Sequence, residues 1–211
     1  MSDNGIVQLW PTRLLQRELP GAEQANAVLQ ALILEQESRH ATGSMTSDYQ
    51  NQDFFSYEHP AVEWLKACIN KTVGDYLADQ SIGYSVNWSL QGWVNINRRG
   101  DYHNLHNHPH SYLSGTYYIA MPSEPGQDGQ RQDLNPGAIS FFDPRGQANM
   151  TAIAGDAQID PEYRVLPKAG TILLWPSFLH HCVHPNLSDE LRVSMSFNVL
   201  LKWQDDYVPR H

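Results

Sequence analysis

Cysteine is nearly missing from this chain. Cys68 and Cys182 are the only two in 211 residues, far apart and without a C-x-x-C pairing, which excludes a disulfide framework and a thiolate zinc knuckle. Also missing are any run of Lys or Arg and any stretch approaching eighteen uninterrupted apolar residues. With 14 basic against 23 acidic side chains the formal net charge is −9, so the positive footprint that nucleic acid or an anionic membrane requires is not there. No membrane span is expected. The opening residues, Met1 to Pro11, show no basic stretch followed by an apolar one, so no secretory leader is expected and a reducing cytoplasm is the expected setting. The expected substrate is therefore a small molecule or a protein side chain. At this length the chain is expected to form one compact domain with a core that needs no staple, so a metal, if bound, should serve chemistry.

What the chain does contain changes character near residue 84. Before it, a short segment around Ile6 to Trp10 has strand composition. The run Gly21 to Ser38 then places Ala25, Val28, Leu29, Leu32 and Ile33 at helical spacing behind Pro20. A polar stretch, His40 to Gln52, is too poor in apolar residues to be core. Pro60 opens a second helical stripe of Val62, Leu65, Ile69, Val73 and Tyr76. From Tyr84 the period falls to two: Val86, Trp88 and Leu90 alternate with polar residues, as do Val94 and Ile96, with a break expected near Gly92. Further strands are expected at Thr116 to Met121, Ala138 to Phe142, Tyr163 to Leu166, Thr171 to Trp175 and Leu191 to Trp203. The reading is an α+β chain in which residues 1–83 form a helical support and 84–203 a β-sandwich or jelly roll.

The last strand has two distinct faces. Alternation puts Val193, Met195, Phe197 and Val199 on one, and Arg192, Ser194, Ser196 and Asn198 on the other. An arginine offers a fixed fork of donors suited to a carboxylate, and Ser194 can add a hydroxyl.

Histidine is concentrated: seven of the ten fall in two clusters, His103, His106, His108 and His110, then His180, His181 and His184. Imidazole is the commonest metal ligand near neutrality, so the clusters read as two walls of one metal site. An extended chain aims His106 and His108 to the same side. The second cluster supplies His181 and His184 as the best-placed partners. Three ligands on one face leave about three positions of a six-coordinate ion open. Asn95 and Asn97, on the strand before the first cluster, are candidates to bond a co-substrate or substrate. So is either Tyr117 or Tyr118, which must face opposite ways. Arg145 lies in an expected turn that could approach the cavity. Trp88, Trp93 and Trp175 read as core or pocket wall, and Cys182 as packing on the far side from His181.

The segment His181-Cys-Val-His-Pro followed by Arg192-Val-Ser194 resembles the second half of the double-stranded β-helix in 2-oxoglutarate/Fe(II)-dependent oxygenases. Further segments resemble more closely a bacterial and phage family of that superfamily: His106-Asn-His108-Pro, Ser111-Tyr-Leu-Ser-Gly-Thr-Tyr-Tyr118, Phe142-Asp-Pro-Arg145, Pro176-Ser-Phe-Leu179 and Ser196-Phe-Asn198. The likeness spans roughly Trp88 to Leu201. It implies a jelly-roll, cupin-like core with the N-terminal helices packed on it, and Fe(II) held by His106, His108 and His181. It also implies that Arg192 and Ser194 bind 2-oxoglutarate, with Tyr117 and Asn95 assisting. The implied activity is a dioxygenase reaction that hydroxylates a substrate and releases succinate and CO2. His108 stands where this superfamily usually has Asp or Glu, so the ion keeps its full double charge until the dianionic co-substrate offsets it. Two alternatives are a three-His cupin-like dioxygenase that does not use 2-oxoglutarate, and a non-catalytic jelly roll whose metal is closed by His103 or His184.

Overall fold

The computed structural model describes residues 9–39, 53–82, 84–124, 126, 131, 134–145, 160–204 and 207. Its elements are β1 (Leu15–Glu18), α1 (Ala22–Arg39), a 3₁₀ turn (Phe54–Ser56), α2 (Pro60–Asp79), β2 (Trp88–Asn97), β3 (His103–His106), β4 (Leu113–Ala120), β5 (Ile139–Phe142), β6 (Glu162–Val165), β7 (Thr171–Pro176), β8 (His181–Val183) and β9 (Arg192–Leu201). The strands form a five-stranded sheet ordered β1-β7-β4-β9-β2 and a four-stranded sheet ordered β3-β8-β5-β6. All pairings within them are antiparallel.

Helix α2 forms because Pro60 supplies a preset φ at its first turn and the ring of His59 caps it, Nδ1 accepting from the Ala61 amide at 3.1 Å. Its stripe of Val62, Leu65, Ile69 and Val73 is wholly buried. That stripe joins Leu29 and Ile33 of α1 and one face of the larger sheet, Tyr117, Ile172, Leu174, Val193, Met195, Phe197 and Val199, in one apolar cluster. The opposite face of the same sheet meets the smaller sheet through Tyr118, Leu173 and Trp175 against Ile139, Phe141, Val165 and Val183. The order is thus helices, large sheet, small sheet. Strand β1 is tied back to α2 by the ion pair of Arg17 with Asp75 at 2.7 Å, and the Tyr117 hydroxyl donates to Asn26 of α1 at 2.6 Å.

The structure departs from the sequence expectations in four places. The segment Ile6 to Trp10 has no strand at Leu9 and Trp10, and its remainder, like the stretch His40 to Gln52, lies outside the described residues. Val28 is 45% exposed, so the α1 stripe is narrower than its spacing implied. Strands β1, β3 and β8, of three or four residues each, were not separately resolved by pattern. Finally, β2 runs through Gly92 without a break. Glycine is required there because the Phe55 ring lies where a Cβ would be. The Gly92 amide, on an edge strand, donates to Asp53 Oδ1 at 3.0 Å.

Gly115 on β4 is more confined, since a Cβ would overlap the Phe197 ring and stand 2.6 Å from the Leu173 carbonyl oxygen. Gly74, inside α2, has open space around it. Gly115→Ala should therefore lower unfolding free energy by about 1–3 kcal/mol, whereas Gly74→Ala should raise it by about 0.5–1 kcal/mol. Denaturant titration of the two variants checks both signs.

Candidate metal centre

Three histidines from two stretches of chain converge inside the sandwich. Antiparallel pairing of β3 with β8 makes His106 and His181 direct cross-strand partners. His108 follows two residues after His106, and its backbone N–H donates to the Ser177 carbonyl at 3.0 Å, fixing it against the turn that leads from β7 into β8. The candidate ligand nitrogens of all three lie within 4.8 Å of one another. Ring centroids are 4.3 Å apart for His106 and His181, and 5.1 Å for His108 with either.

Carbonyl oxygens set the tautomers. His106 Nδ1 lies 2.6 Å from the Asn104 carbonyl oxygen and His181 Nδ1 lies 3.0 Å from that of Leu179, so each carries its proton on Nδ1 and presents a lone pair at Nε2. His108 Nε2 stands 3.3 Å from His181 Nε2. Two nitrogens facing this closely, one with a lone pair assigned, call for a cation or proton between them. Burial pushes His181 down to about 3 and His108 down to about 4, with the neighbouring His106 adding to both. Both rings are neutral near pH 7, as ligands must be. The donor set therefore fits a divalent ion with open positions. Trp175 packs edge-on against His181 at 4.9 Å, and Trp93 lies 5.7 Å from His108.

On the same interior face, β9 contributes Arg192 and Ser194, which pair in register with Asn97 and Asn95 of β2, and Ser194 also opposes Tyr118 of β4. Arg192 is 1% exposed. Its Nη1 donates to Asn97 Oδ1 at 2.9 Å, and its guanidinium carbon stands 5.2 Å from the centroid of the Tyr118 ring. Among the described residues no carboxylate is within ion-pair distance of it. Arg192 Nε, the Tyr118 hydroxyl, Asn95 Oδ1 and Trp175 Nε1 are buried and have no hydrogen-bond partner among the described residues. All four belong to residues on the interior face of the large sheet. Asn95 Nδ2 donates to Ser196 Oγ at 2.9 Å.

Tyr117 is a correction. It lies on the helix side of β4, against Trp64 and Asn26, because alternate residues of a strand face opposite ways. The interior hydroxyl is that of Tyr118. Ser114, Thr116 and Tyr118 share that face of β4, while Leu113, Tyr117 and Ile119 share the other. His184 is also apart, facing outward, where its Nε2 lies 2.7 Å from Ser140 Oγ and 3.9 Å from Glu162. His103 meets Asn97 instead of the other rings. His110 and His180 are exposed. Arg145 pairs with Asp143 two residues earlier, as a plain turn does. Asn186, which no motif singled out, is 1% exposed and ties Asn97 to the β8–β9 loop.

The fold has known counterparts. In overall fold the chain is similar to a prolyl-4-hydroxylase from Pseudomonas putida, with 14% identity and a TM-score of 0.60 over 90% of this chain and 93% of that one. It is similar to HygX from Streptomyces hygroscopicus, whose structure holds nickel and 2-oxoglutarate, with 14% identity and a TM-score of 0.56 over 89% and 82%. A third similarity is to SnoK, a non-haem α-ketoglutarate-dependent carbocyclase of nogalamycin biosynthesis, with 13% identity and a TM-score of 0.57 over 89% and 79%. No curated protein matches in sequence. The family described as "Putative 2OG-Fe(II) oxygenase" matches residues 91–198, half of the chain, from β2 through β9. The chain belongs to this family of 2-oxoglutarate/Fe(II) oxygenases on a double-stranded β-helix core.

Proposed function

We propose that this oxygenase uses dioxygen to convert 2-oxoglutarate to succinate and CO2 while inserting the second oxygen atom into a C–H bond of a small molecule or protein side chain. In this reading His106, His108 and His181 hold Fe(II). Arg192, with Ser194, Asn95 and the Tyr118 hydroxyl, holds the far carboxylate of 2-oxoglutarate. The observation that carries it is the buried charge of Arg192, which has no carboxylate near it among the described residues and shares its interior with the three imidazoles. A buried cation without a counter-charge is costly, and a bound dianion would offset it.

Bound Fe(II) supplies the one-electron chemistry that dioxygen needs. The chain's own contribution is placement. Burial pushes the Tyr118 phenol up to about 12, against the opposing pull of Arg192, so it stays protonated and donates a hydrogen bond where a phenolate would repel the anion. Arg192 keeps its charge and offers a planar fork. Trp93, Trp175 and Phe141 border the imidazoles and give the site an apolar wall. The unpaired state of Cys68 and Cys182 supports placement in a reducing cytoplasm, and no described helix is long and apolar enough to cross a membrane.

Anaerobic addition of Fe(II) and then 2-oxoglutarate should give a weak visible charge-transfer band, and admission of air should give succinate. Absence of both overturns the proposal. Arg192→Ala should weaken 2-oxoglutarate binding by about 2–5 kcal/mol while iron content stays near that of the unmodified protein. Equal loss of both would mean a folding role for Arg192. His181→Ala should abolish iron retention and His184→Ala should not, as read by metal analysis after gel filtration; the reverse pattern would reassign the ligand.

A further inference from the structure

Arg192 is held by a neutral amide where an acid would fit. Asn97 is its direct partner across the β2–β9 ladder and is 1% exposed. A guanidinium can only donate, so Asn97 Oδ1 must face it, at 2.9 Å. Asn97 Nδ2 is thereby turned the other way, where it meets His103 Nε2 at 3.3 Å. Because Nδ2 can only donate, His103 Nε2 accepts and the ring's proton sits on Nδ1. The backbone of Asn97 is fixed as well: its carbonyl accepts from Asn186 Nδ2 at 3.0 Å. That same nitrogen donates to the Glu190 carbonyl at 2.8 Å, while Asn186 Oδ1 accepts from the Ser188 amide.

An aspartate has the same shape as this asparagine. At position 97 it would form an ion pair with Arg192, favoured by the protein alone in so buried a place, and would turn an acceptor to His103 Nε2, which the ring meets by moving its proton from Nδ1 to Nε2. It would also cancel the charge of Arg192 and set a negative charge beside the co-substrate's carboxylate. We infer that Asn97 is a positioning residue which grips Arg192 and His103 through neutral hydrogen bonds, leaving the guanidinium charge for the carboxylate of the co-substrate. This inference rests on the functional reading above. It assigns Asn97 no contact with 2-oxoglutarate; it acts through Arg192.

The consequence is that stability and affinity move in opposite directions. In the full chain, Asn97→Asp should leave the thermal midpoint of the metal-free protein at or above that of the unmodified chain and retain iron. Its affinity for 2-oxoglutarate, read from the charge-transfer band of the anaerobic Fe(II) protein, should fall by roughly 30-fold or more. Asn97→Ala should lower the midpoint and weaken 2-oxoglutarate binding less than Asn97→Asp does. A second measurement does not depend on the Asp variant folding: 2-oxopentanoate has the same chain length without the far carboxylate. The preference for 2-oxoglutarate over it should shrink by about fivefold or more in Asn97→Ala, because a loosened Arg192 discriminates less well. Affinity of Asn97→Asp within about threefold of the unmodified protein, or an unchanged preference in Asn97→Ala, overturns the inference alone. If the unmodified protein does not bind 2-oxoglutarate, the functional reading itself falls.

Discussion

Strand β9 is hydrogen-bonded along its whole length to β2 and along most of it to β4, and its two-residue alternation is the constraint on which both the core and the site depend. Val193, Met195, Phe197 and Val199 meet the helices; Arg192, Ser194, Ser196 and Asn198 face the other sheet. A slip of one residue would put Arg192 among the aliphatic side chains of α2 and Phe197 beside the imidazoles. The register is protected from such a slip on both sides. Gly115 leaves room only for the Phe197 ring, and Arg192 finds its amide partner only opposite Asn97.

The polar interior that results is unusual in its charges. Burial drives His103, His108 and His181 neutral, Tyr118 is held as a phenol, and among the described residues its one fixed charge is a cation. Proteins ordinarily balance a buried arginine with a carboxylate. Here the described residues around it offer amides and hydroxyls, groups that satisfy N–H donors without neutralising them. The three-histidine ligand set has the same bias, lacking the acidic ligand common in the superfamily. Both features leave positive charge available to an anionic guest.

The sequence made the long elements legible and marked side chains that the fold brings to one interior, and the reasons are physical. The stripe of α2 and the alternation of β9 are each long enough for period to stand above noise, and His106, His108, His181, Arg192 and Ser194 all fall on one interior. Strands β3 and β8 carry histidines in place of an apolar alternation, so only pairing with each other and with β5 makes them strands. The Gly92 position looked like a break because local pattern does not contain Phe55, which arrives from a turn 37 residues earlier. Tyr117 and Tyr118 are adjacent, so choosing between them required knowing which face of β4 the helices cover. Asn97 and Asn186 act through partners set by tertiary contact, and no motif marks such a role.

The turn after β7 and the loop after β3 are stitched together. Besides the bond from His108 to Ser177, the Ser177 amide donates to the Tyr112 carbonyl at 3.2 Å, its hydroxyl donates to the Ser111 carbonyl, and Asn107 Nδ2 reaches the Phe178 carbonyl at 3.5 Å. His108 is the one member of the triad outside a strand, yet it is anchored to the segment that leads directly to His181. The segments that carry the two rings are therefore joined by hydrogen bonds in the folded chain itself. The conformational entropy of gathering them is lost when the chain folds, so the ion meets a receptor already shaped for it, and its capture involves little rearrangement of the backbone.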